Sequence, residues 1–187
     1  QFALHFQQSG TTLKAADYLR QAGDRASEMV AHQDAIEHYQ EAMTAYKQAL
    51  GDQWEPFQRA VLERKIGESF YRRGEHTEAM LHFDRALAYL VMPLPVSKWG
   101  IRLAILREVV VQFAHQLLPR LFIKPMVGHA TPTLEEAVRI IYMAGWIEGM
   151  IHPDRFLMFA LTLANLSERN GYGWGAAPAS VSIGVML

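Results

Sequence analysis

A repeat with a shift of 44 residues constrains this chain more than any other feature. Ala35, Tyr39 and Ala42 recur as Ala79, Phe83 and Ala86. The same shift sets Gly23 on Gly67, Ala22 on Ile66, Ala26 on Phe70, His32 on His76 and His38 on His82. Self-similarity at a fixed period marks stacked supersecondary units, each too small to bury its apolar face alone. The residue types also have a mechanical reading. Gly23 and Gly67 admit close approach of a neighbouring helix, and Ala35 and Ala79 do so from the other side. Tyr39 and Phe83 fill the space between helix pairs, while Ala42 and Ala86 keep the next contact tight. Small residues set against large ones permit interdigitated packing.

The elements around the repeat read as helices. Gln1 to Gln8 is expected to be the tail of one, closed by Ser9-Gly10, with Thr11 or Thr12 capping the next. Leu13, Ala16, Leu19, Ala22, Ala26 and Val30 recur at helical spacing to a break near His32. Ala35 to Leu50 and Trp54 to Tyr71 give two more helices, and Gly74 marks a turn. Ala79 to Leu90 gives a fourth, stopped by Pro93 and Pro95. Residues 97–123 read as one long apolar helix that Pro119 kinks or shortens. Thr133 and Glu136 have capping-box spacing for a helix to about Met150. His152-Pro153-Asp154 breaks it, a helix follows to Asn170, and a last one starts near Pro178. Nothing alternates with period two over a useful length, so no strand is expected. The expected fold is all-α: an α-solenoid of antiparallel helix hairpins. Residues 1–95 form its repeats, as units of about 12–50 and 54–91, and residues 96–187 a divergent extension truncated at the C-terminus.

Ile66-Gly67, Phe70, Gly74, Ala79, Phe83 and Ala86 resemble the tetratricopeptide repeat (TPR). Ala22-Gly23, Ala35, Tyr39 and Ala42 repeat the match without its turn glycine. Ala144-Gly145 with Leu157, Leu161 and Ala164 would continue the register. The wording of residues 15–26, 35–46 and 63–90, followed by Pro93-Leu94-Pro95, is similar to the helical region of bacterial STAND-class signalling ATPases. In that family a nucleotide-binding module precedes a TPR-like tail, and many members carry adenylate/guanylate cyclase or protein-kinase domains. The resemblance implies a non-catalytic, cytoplasmic scaffold or regulatory segment that contacts a protein or another domain of its own parent. The chain begins without Met and ends inside the apolar run Val181 to Leu187, so it reads as a piece of a longer protein. That run would offer a second copy an uncovered end helix.

Other chemistries find little support. No Gly-x4-Gly-Lys-Ser/Thr phosphate loop occurs. There is no cysteine, which removes disulfides, thiol catalysis and thiolate metal sites. His32/His38 and His76/His82 are each six apart, where a helical zinc pair needs about four. No metal, cofactor or catalytic residue is therefore assigned. The net charge of -1 gives no basic field for nucleic acid. Arg59, Arg64, Lys65, Arg72 and Arg73 alternate with Glu55, Glu63 and Glu68 as a mixed solvated face. Gln112, His115 and Gln116 interrupt the longest apolar stretch, so no membrane span is expected.

A TPR stack binds partners on a concave face lined by the first helix of each pair. Here that face would hold Asp17, Arg20, Asp24, Ser27 and Glu28, then Val61, Arg64, Glu68, Tyr71 and Arg72. Asp24 and Glu68 stand where chaperone-binding members carry a clamp asparagine, which argues against that type of ligand. An alternative is a ligand-sensing pocket between helix 97–123 and hairpin 133–170, lined by Trp99, Phe113, Tyr142, Trp146 and Phe156.

Overall fold

The computed structural model describes residues 2–125, 130–149 and 151–173, with side chains from residue 11 onward. The described residues are helical and contain no strand. The chain divides into two compact units, Gln1–Met92 and Pro93–Leu187. The expected last helix near Pro178 and the Val181–Leu187 run lie outside the described residues.

The first unit holds α1 (Phe2–Glu28), α2 (His32–Leu50), a 3-10 turn (Gly51–Gln53), α3 (Pro56–Arg72) and α4 (His76–Tyr89). Helix α1 packs on α2, α3 on α4, and α2 on α3. The expected break at Ser9-Gly10 is absent: α1 runs straight through it. A glycine inside a helix costs about 1 kcal/mol against alanine, which lowers stability there without forcing an end.

The repeat becomes a packing device. Ala16 and Ala60, Ala35 and Ala79, and Ala42 and Ala86 are all fully buried. A Cβ placed on Gly23 would stand 2.6 Å from the Tyr39 ring, and one on Gly67 would stand 2.8 Å from the Phe83 ring. Each glycine thus makes the room its aromatic occupies. Between α3 and α4 lies a buried polar pair, Glu63 Oε2 and His82 Nδ1, 2.6 Å apart. Phe70 stacks on His82 with ring centroids 5.4 Å apart.

Helices α1, α3 and α4 end in the same way. Ala31 N donates to Ala26 O, Glu75 N to Phe70 O and Met92 N to Leu87 O, the six-to-one bond of a Schellman cap. The residue before each donor takes a left-handed conformation: Val30 (φ 62), Gly74 (φ 79) and Val91 (φ 59). Val30 therefore fills the place of the missing turn glycine, 44 residues before Gly74. A β-branched residue is strained there by about 1–2 kcal/mol. Part of that gain returns as the greater unfolded-state entropy of glycine. Val30→Gly should raise the stability of the first unit by about 0.5–1 kcal/mol, read from urea unfolding followed by circular dichroism. An unchanged or lower midpoint would contradict the strain.

The second unit holds α5 (Lys98–Leu117), α6 (Pro119–Phe122), α7 (Pro132–Gly149) and α8 (Pro153–Asn170). Helix α8 packs against both α7 and α5. Ser97 caps α5, its Oγ accepting from Gly100 N at 3.1 Å. The expected 97–123 helix stops at Leu117, because Leu118 precedes a proline and leaves the helical region (φ -132, ψ 57). The α7 cap is Thr131, whose Oγ1 accepts from Leu134 N, and Thr133 lies inside the helix. Val138, Ile141, Ala144, Met158, Phe159 and Leu163 form the α7–α8 core.

Helix α5 buries polar groups and exposes apolar ones. Ile101, Glu108 and His115, seven residues apart, are its buried side chains. Asn165 Nδ2 on α8 donates to both the Glu108 carboxylate and the Glu108 carbonyl, each at 2.8 Å. His115 Nδ1 lies 2.6 Å from Glu168 Oε2. Trp99, Leu103, Leu106, Val110, Phe113 and Leu117 are exposed.

Candidate functional site

The first unit carries an open groove of about 650 Å³ between α1 and α3. Leu13, Asp17 and Arg20 come from α1, Tyr46 and Leu50 from the end of α2, and Gln53 from the 3-10 turn. Trp54 and Glu55 precede α3, which adds Phe57, Gln58, Val61, Leu62 and Lys65. Helical spacing explains the α3 wall, since residues 57, 58, 61, 62 and 65 share one stripe. Pro56 starts α3 at a position where its missing N–H is harmless. Trp54 is buried against Tyr46, with ring centroids 5.3 Å apart, and the Arg59 guanidinium lies over its ring, 5.2 Å from the centroid. The base is thereby held by its own neighbours.

Charges at the rim are held by neighbours. The Tyr46 hydroxyl donates to Asp17 Oδ1 at 2.5 Å. Arg20 and Asp24 pair at 3.2 Å, and the Tyr39 hydroxyl donates to Asp24 at 2.7 Å. Lys65 reaches across from α3 to Asp24. Arg20 is held more firmly protonated, chiefly by its hydrogen bond with Tyr46, against an opposing effect of burial. The Tyr39 and Tyr46 phenols are both pushed upward, first by burial and then by their bonds to Asp24 and Asp17.

The sign of that shift gives a pH dependence. The folded state favours the neutral phenols, so their contribution is complete below the ordinary tyrosine value of about 10. It is lost as pH climbs through the raised folded values. In an alkaline titration followed by phenolate absorbance, two of the seven tyrosines should ionise late. Tyr39→Phe should remove one late step and keep the fold, since Phe83 fills the matching place 44 residues on. Early ionisation of all seven would count against these bonds.

Of the sequence-derived face, Asp17, Arg20 and Val61 line the groove. Asp24 borders it through Lys65. Arg64, Glu68 and Arg72 instead form a ladder along α3, with Glu68 accepting from Arg64 at 2.7 Å and from Arg72 at 2.8 Å. Tyr71 leans on His76, and Ser27 and Glu28 lie outside the lining. Sequence reasoning missed Tyr46, Trp54, Gln58 and Lys65. The 57/58/61/62/65 stripe was a usable signal for the last two.

The five aromatics of the alternative pocket are not gathered round one enclosed space. Trp99 and Phe113 project from the exposed side of α5. Tyr142, Trp146 and Phe156 edge a crevice between α7 and α8 of only about 10 Å³. Among the described residues no cluster of three or more His, Asp or Glu side chains is placed to hold a metal ion. Nor is any helix long and apolar enough to cross a membrane. His82, His115 and His152 each face a carboxylate, those of Glu63, Glu168 and Glu148. No protein-family model, curated protein or solved structure matches the chain.

Proposed function

We propose that this chain is a non-catalytic, TPR-like segment of a larger signalling ATPase, and that the α1–α3 groove of its first unit holds a peptide or helix of a partner. The observation that carries the reading is the groove: apolar walls, a rigid aromatic base and charges of both signs at one rim. Leu13, Leu50, Phe57, Val61 and Leu62 give it apolar surface, and Asp17, Glu55, Arg20 and Lys65 balance in sign. Such a lining suits an amphipathic segment of mixed charge better than a nucleotide or a polyanion. The 44-residue repeat and the family-like wording of residues 15–90 support the wider assignment.

Trp54 supplies the test. With Trp99, Trp146 and Trp174 replaced by phenylalanine, it is the sole tryptophan. Peptides selected from a displayed random library should shift its emission on binding. Val61→Glu should weaken that binding by about tenfold or more with unchanged helix content. Equal binding by the variant, or nucleotide hydrolysis by the chain itself, would remove the reading.

A further inference from the structure

We propose that α5 pairs antiparallel with α5 of a second copy of this chain. The most exposed apolar residues of α5 are Trp99, Leu103, Leu106, Val110, Phe113 and Leu117, with Val109 less exposed at their flank. Their spacing is 4, 3, 4, 3, 4, the a/d seam of a helix that lies along another helix. At about 100° per residue this seam lies opposite the face that carries Ile101, Glu108 and His115. That second face is already taken by α8, so the seam faces away from it.

The seam is self-complementary only when reversed. Antiparallel pairing matches a positions with d positions, which sets Trp99 on Leu117, Leu103 on Phe113 and Leu106 on Val110, each across the pair. Every layer then joins a larger side chain to a smaller one or to a branched one, and all six seam residues are used. Charge selects the same alignment. A parallel pair would set Arg102 against Arg107 twice, with like charges across the flanks. The antiparallel pair moves Arg102 opposite Gln116. It leaves a single meeting of Arg107 with its own copy, and Arg107 already bonds its own Glu108, Nε to Oε1 at 3.0 Å. The helix dipoles also oppose in this arrangement.

The chain contains no cysteine, so introduced thiols report the alignment directly. Leu106→Cys is made in the full chain, and Val110→Cys in a copy that carries a size tag. Mixed under mild oxidation, the two should form the disulfide-linked heterodimer faster than either forms a homodimer. Leu103→Cys alone should link least, because its two copies stand about 15 Å apart along the pair. The unmodified chain should be dimeric by light scattering, and Val110→Glu monomeric with unchanged helix content. Homodimer links as fast at Leu103→Cys as at Leu106→Cys would show parallel pairing and overturn the proposal. So would a monomer at all concentrations. In that case a slow reaction of Leu106→Cys with a thiol reagent would show the seam covered by residues of the same chain, and a fast one would show it uncovered.

Discussion

Phe83→Ala should destabilise the first unit by about 3–5 kcal/mol, the range for emptying a fully buried aromatic site. Phe83 is wholly buried, and its ring rests against the backbone of Gly67 with no side chain between them. The hole left behind cannot close easily, because Ala79 and Ala86 on the same helix are too short to fill it. A domain of this size holds roughly 5–15 kcal/mol in total, so the loss approaches the whole reserve. Urea unfolding followed by Trp54 emission reads this unit by itself in the tryptophan-reduced background. The pairing with Gly67 has its own signature. Gly67→Ala alone drives a Cβ to 2.8 Å from the ring and 3.1 Å from the Ala79 carbonyl, and should cost about 1–3 kcal/mol. In the Phe83→Ala background the ring clash is gone and most of that cost should vanish. A double-mutant cycle that came out additive would show that the glycine and the ring do not share one space.

The second unit has a single-atom counterpart. Gly171→Ala should lower its stability by about 2–5 kcal/mol, from two separable sources. Gly171 closes α8 in the left-handed region (φ 66), which costs an alanine about 1–2 kcal/mol. Its Cβ would also stand 2.3 Å from the Pro125 carbonyl oxygen, a backbone atom that can yield only by moving the chain. Overpacking of that kind adds about 1–3 kcal/mol. Gly74→Ala is the control, since Gly74 has a similar φ of 79 and nothing within 4 Å of an added Cβ. It should show the conformational part alone. Equal losses at the two sites, after thermal unfolding of each variant, would mean that the segment at Pro125 relaxes freely.

The repeat made much of the first unit legible. Gly23 and Tyr39, or Gly67 and Phe83, declare their contact because one small and one large residue recur together 44 residues on. The groove was legible only in part. Helical spacing places Asp17, Arg20 and Val61 on one side of their helices, but the groove's base is Trp54, which lies outside both helices. Val30 was hidden for another reason. Its left-handed turn is enforced by the Ala31–Ala26 backbone bond rather than announced by a glycine. The faces of α5 were the hardest to assign. Periodicity says that a helix is amphipathic, and the ordinary assumption buries the apolar side; here Asn165 and Glu168 on α8 favour the polar one. At Gly145 the repeat register pointed to Leu161, yet the nearest side chain is Phe159, 3.4 Å from an added Cβ. The second unit thus follows a looser geometry than the first.

The polar meeting of α5 with α8 acts as an index mark. A purely apolar contact between two helices tolerates sliding, because one greasy ridge fits several grooves about equally well. A slip of one turn, about 5.4 Å, would bring Glu108 from Asn165 to the level of Leu161 and strand a carboxylate among carbon atoms. His115 would leave Glu168 in the same movement. These groups therefore add little holding strength while penalising a slipped register. The exposed seam on the far side of α5 is then held at a defined height relative to α8.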